Sequence, residues 1–136
     1  MSAFNLAGFT AWEQKAEEDH AAAAILIQHG GPPATICFLC QQIAEKYLKA
    51  FSVYNGRPVK HIHQLDMLLE DCIALEEGFG ALVDAVTVLK QYYIESRYPD
   101  DLPERIPESE AAAAWASASR VRNLVRTRVQ NVSPNP

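Results

Sequence analysis

Four groups of residues in this chain carry side chains capable of chemistry. The first is Cys37-x-x-Cys40, two thiols three residues apart. Zinc takes about four ligands, and His61 and His63 are the candidates that would complete such a set. Both cysteines fall in the apolar stripe of a helical pattern and no second such pair follows. They are therefore expected to pack in a core, where free cysteine is commonly found. The second group is Arg57-Pro58-Val59-Lys60-His61-Ile62-His63. An arginine that holds a phosphate and a histidine that moves a proton would suit cleavage at an RNA 2′-hydroxyl. The alternative, which a short basic loop does not exclude, is a solvated turn.

The third group is Arg97-Tyr98-Pro99-Asp100-Asp101. Arg97 and Tyr98 can contact a phosphate and stack on a base, or they can satisfy the last carbonyls of the preceding helix. Asp100, Asp101 and Glu104 could hold magnesium or stand as solvated charge. The fourth group is the stripe Gln42, Glu45, Lys46 and Lys49. On a helix at the centre of a bundle these charges need partners, because an unpaired buried charge is costly. Glu45 or Lys46 is expected to pair with Arg97 or Asp100.

The elements that must position these groups read as helices. Thr10 and Glu13 have the spacing of a capping box, and a first helix is expected from there to about Gln28. Ala16, Ala23 and Ile27 mark its inner face, and Gly30-Gly31-Pro32-Pro33 ends it. A second helix covers about Ala34 to Tyr54, with Ile36, Leu39, Cys40, Ile43, Tyr47 and Phe51 at three- and four-residue steps. A third spans about Gln64 to Leu75, and Glu76-Glu77-Gly78 breaks the chain. A fourth is expected from about Phe79 to Glu95, with Leu82, Val86, Leu89 and Tyr93 on one line. Pro99, Pro103 and Pro107 make a loop. The fifth helix runs from about Glu108 to Val129, acidic at its start and basic at its end, as the helix dipole favours.

The chain of 136 residues fits one domain, residues 1–136 with a core of about 10–130, and its apolar fraction of 49% is enough for one continuous core. A net charge of −5 argues against bulk electrostatic attraction to nucleic acid, so any RNA binding must be local. No apolar run reaches the roughly 18 residues of a membrane span. The stretch from Met1 to Asn5 has no basic region and no long apolar core, so no signal peptide is expected. Three cysteines without an export signal suggest reduced thiols and a cytoplasmic location. No cofactor and no metal are expected.

Four elements resemble the small prokaryotic HEPN proteins in order and spacing. They are Trp12-x-x-x-Ala16-x-x-Asp19-x-x-x-Ala23, Gln42-x-x-Glu45-Lys46-x-x-Lys49-Ala50, Lys60-x-x-His63-x-Leu65-x-x-Leu68, and Arg97-Tyr98-Pro99-Asp100. The resemblance implies an all-α, up-and-down bundle of four to five helices that forms a two-fold homodimer. Many members of that family are encoded beside a minimal nucleotidyltransferase and act with it as a toxin–antitoxin-like pair. Others are metal-independent ribonucleases with an arginine, four to six residues, and then a histidine in the C-terminal half. Here the histidines are His20, His29, His61 and His63, so none lies in that half. Arg57 and His63 have the right separation but sit where the family opens its third helix.

Three expectations follow. The leading one is a non-catalytic or weakly catalytic module that binds a nucleotide or RNA phosphate at Arg97, Tyr98 and Asp100, beside Gln42, Glu45, Lys46 and Lys49, and pairs with a nucleotidyltransferase partner. The runner-up is a ribonuclease using Arg57 and His63 across the dimer. A helical scaffold dimer without a small-molecule site is the third.

Overall fold

The computed structural model describes residues 4–93 and 105–130, with the side chain of residue 130 left aside. Five α-helices run in the order α1 (Leu6–Gln28), α2 (Pro33–Tyr54), α3 (Leu65–Leu75), α4 (Val83–Leu89) and α5 (Glu108–Gln130). Short 3-10 segments, Glu77–Leu82 and Lys90–Tyr92, flank α4. The described residues contain no strand.

The first helix begins earlier than the capping-box spacing suggests. Asn5 is the N-cap, and its Oδ1 accepts from the Gly8 amide at 2.8 Å. An Asn at this position satisfies an orphan amide as well as Thr10 would, which leaves Thr10 inside the helix. Pro33 opens α2 at its first turn, where the missing amide hydrogen costs nothing. Both α1 and α2 stop at a glycine with positive φ, Gly30 at 70° and Gly56 at 81°. Side-chain-bearing residues resist that conformation, so each glycine turns the chain out of its helix.

Helix α2 is the axis of the molecule: it packs against α1, α3, α4 and α5. Fifteen of its 22 residues are buried, too many for one apolar stripe, so the helix is enclosed on nearly every side. Cys37 and Cys40 are fully enclosed there, and burial pushes the Cys40 thiol up to about 12. They pack as small apolar groups, as their place in the stripe indicated.

The fourth expected helix is shorter than its apolar line. The chain from Glu77 to Leu82 winds as a 3-10 helix and only Val83–Leu89 is α-helical. Phe79 is completely buried and its ring lies 4.4 Å from that of Phe51. Flanked by Gly78 and Gly80, that buried ring coincides with a tighter winding than an α-helix would give. Ile27, expected to face inward, is 40% exposed, because the inner face of α1 ends at Ala23.

Candidate functional site

The i, i+4 and i+8 positions Gln41, Glu45 and Lys49 stack along one face of α2, and all three are buried. Gln41 Nε2 donates to Glu45 Oε1 at 3.2 Å, and Lys49 Nζ donates to Glu45 Oε2 at 3.1 Å. Gln42 Nε2 donates in turn to Gln41 Oε1 at 2.6 Å. Lys49 Nζ also lies 5.5 Å from the centre of the Trp12 ring, a cation–π contact. Glu45 reaches a third element: His63 Nδ1 is 2.9 Å from its Oε2, and since a carboxylate only accepts, the imidazole donates. The His63 ring stacks on Tyr93 at 4.6 Å, an 11° tilt away from parallel. One carboxylate thus ties together α2, the segment before α3 and the end of the α4 region.

Two clefts open on either side of this network. Lys49, Ser52, Arg57, Lys60 and Asp71 line one of about 140 Å³. His63, Gln64, Lys90, Gln91 and Tyr93 line a wider one of about 490 Å³. Arg57 and His63 therefore face different clefts, and the structure does not bring them together as a pair. Lys46 turns the other way, pairing with Asp19 of α1. Arg97, Tyr98, Asp100, Asp101 and Glu104 lie outside the described residues, so the expected link from Glu45 or Lys46 to Arg97 or Asp100 does too. Cys37 and Cys40 sit in the core while His63 is on Glu45, and no group of three metal-ligating side chains gathers among the described residues.

A second polar cluster, not foreseen from the sequence, joins α1, α2 and α5. Arg122 Nε and Nη2 donate to the two oxygens of Glu17 at 2.7 and 2.8 Å, and the Tyr47 hydroxyl donates to the same carboxylate. The Arg122 hydrogen bonds, helped by Tyr47, hold the Glu17 carboxyl at about 2 against the opposing effect of burial. Beside it the His20 ring stacks on Trp115 at 4.8 Å, and burial followed by the Arg122 charge lowers its pKa. The arginines of α5 that seemed to serve the helix dipole in fact reach other elements. Arg128 Nε donates to both oxygens of Glu76, and Arg120 reaches Asp84 and the Ala81 carbonyl.

The Glu17 pair makes stability depend on acid pH. A carboxyl lowered from 4.5 to about 2 in the folded chain stabilises it above pH 4.5, and that contribution disappears as pH falls through about 2. The stability gap between the native protein and Glu17→Gln should narrow over that window in chemical denaturation. A gap that stays constant from pH 5 to pH 2 would show that Glu17 is not held ionised by Arg122.

The HEPN domain family matches residues 9–128. The chain belongs to that family. Two solved structures share the HEPN fold of this chain along most of its length. One is ST0689, an archaeal HEPN homologue, 28% identical, covering 95% of this chain and 99% of its own, with a TM-score of 0.70. The other is TT1696 from Thermus thermophilus, 29% identical, covering 88% of this chain and 96% of its own, with a TM-score of 0.71. No curated protein matches the chain. Within this HEPN protein, no helix among the described residues is long and apolar enough to cross a membrane.

Proposed function

We propose that this HEPN protein binds the phosphate of a nucleotide or RNA without cleaving it, as a homodimer acting with a minimal nucleotidyltransferase in a toxin–antitoxin-like pair. The observation that carries the non-cleaving reading is that, within one chain, Arg57 and His63 line different clefts, so neither cleft holds both groups. Phosphodiester cleavage needs the phosphate-holding cation and the proton-transferring group on one reacting centre, and misplacement by about 1 Å can cost a hundredfold. The proposed ligand contacts are Arg97, Tyr98 and Asp100, with Glu45 and Lys49 beside them; Lys46, paired with Asp19 of α1, is not among them. Tyr93, four residues before Arg97 in the sequence, stacks on His63, which is bonded to Glu45.

One observation favours the ribonuclease reading instead. A carboxylate on Nδ1 is how a histidine is oriented for acid–base work, and Glu45 holds His63 in that way. The test is purified full-length chain with mixed RNA and with nucleotides, in chelator, followed for both binding and cleavage. Binding without cleavage is expected, in the native protein and in His63→Ala alike. Robust cleavage abolished by His63→Ala would replace the proposal with the Arg57–His63 ribonuclease.

A further inference from the structure

The smaller cleft has a composition that the rest of this acidic chain does not share. Its deep wall is made by Lys49, Ser52 and Leu68, exposed by only 5%, 8% and 2%. Its rim carries Arg57 and Lys60, both exposed. Lys60 is held by Asp71 at 2.9 Å and Lys49 by Glu45 at 3.1 Å, so these two cations are compensated. Arg57 has no ion-pair partner among the described residues. Three cations facing two carboxylates leave one positive charge, on a planar side chain whose fork fits a phosphate oxygen pair. The flanking Pro58, Val59 and Leu68 are apolar, which strengthens any charge-assisted bond made there.

Size decides what such a cleft admits. At about 140 Å³ it is well below the several hundred Å³ that whole small-molecule ligands occupy. It has room for one compact group. A phosphodiester in the middle of a strand has a substituent on both sides and needs an open groove, whereas a phosphomonoester enters end-on and presents three free oxygens. Resting on the phosphate-binding reading, we infer that the cleft between the end of α2, residues 57–60 and α3 receives a terminal phosphoryl group. Arg57 forks onto it from the rim, Lys49 and the Ser52 hydroxyl meet it from within, and Lys60 closes the ring of donors. The source is the 5′ end of an RNA or a free mononucleotide, which share that chemistry.

The experiment compares one oligoribonucleotide with a 5′-monophosphate and with a 5′-hydroxyl, by fluorescence anisotropy on the full chain. A nucleoside 5′-monophosphate and inorganic phosphate serve as competitors, and inorganic phosphate is also titrated against the amide resonances of Ser52, Arg57 and Lys60. The phosphorylated end is expected to bind about tenfold tighter, the preference to vanish in Arg57→Ala and to return in part in Arg57→Lys. Lys90→Ala, in the other cleft, should keep it. Competition by the mononucleotide as strong as by the phosphorylated RNA identifies the free nucleotide as the source. Equal binding of the two oligonucleotides, with resonances unmoved by phosphate, overturns the cleft assignment and leaves RNA binding standing. Phosphate-shifted resonances with neither oligonucleotide bound support the cleft while removing RNA as the ligand. Preference unchanged in Arg57→Ala overturns the assignment.

Discussion

Glu45→Ala is expected to lower the unfolding free energy by about 3–5 kcal/mol, more than any exposed charge in the molecule. The side chain is 5% exposed and accepts from Gln41, Lys49 and His63. Removing it leaves the Lys49 ammonium, 6% exposed, without its carboxylate and against the Trp12 face. An uncompensated ion in that position has lost its water without gaining a counter-charge. For a chain of this size the loss corresponds to a fall in melting temperature of roughly 10–20 °C. Asp84→Ala, which removes an ion pair on an exposed carboxylate, should cost far less, because solvent screens that pair. The double replacement Glu45→Met with Lys49→Met should recover much of the loss, because two apolar groups of similar size need no partner. Calorimetry showing Glu45→Ala no worse than Asp84→Ala would mean that water reaches the pair.

Phe79→Ala should cost about 3–5 kcal/mol, the ordinary result of emptying a buried aromatic site. Phe79 is fully enclosed and its ring packs on Phe51 of α2. It is also the main apolar anchor of the 3-10 segment, which is otherwise held by Leu82 and by residues of α3 and α5. Val83→Ala, four residues on, is the control: that side chain is 53% exposed and its loss should fall within about 0.5 kcal/mol. Urea unfolding gives both values. A Phe79→Ala cost near that of Val83→Ala would show that the segment collapses to refill the space.

The helices were legible because apolar residues recur at helical spacing and because glycine and proline punctuate the chain. Cys40, Ile43, Tyr47 and Phe51 are buried as their spacing indicates, and α2, α3 and α5 begin and end within a residue or so of the expected places. The capping box at Thr10 was misleading because Asn5 offers an equivalent cap one turn earlier. The fourth helix was overdrawn because the pattern Leu82, Val86, Leu89 is consistent with an α-helix but says nothing of the tighter turns that Gly78 and Gly80 permit. In the site, the stripe marks Glu45 and Lys49 as charges in need of partners, but the expected pairing runs to Arg97 or Asp100, whereas Glu45 pairs with Lys49 on its own helix and with Gln41, which lies outside the stripe. Partners distant in the chain left no local trace: Glu17 and Arg122 are 105 residues apart, and each alone looks like ordinary surface charge. Lys46 likewise gave no sign of its pairing with Asp19, 27 residues earlier.

Because α2 touches every other helix, there is no way to loosen it while the rest of the bundle stays in place. Segments that open on their own are those with few buried neighbours, and α2 has them on nearly all sides. The Lys49 ammonium and the Ser52 hydroxyl, which line the smaller cleft, are therefore carried on the part of the chain that moves least. A ligand arriving at the smaller cleft meets those two groups already fixed in their final geometry, and spends little of its interaction energy on ordering them. What binding there must still organise is the exposed side chains at the rim, Arg57 and Lys60.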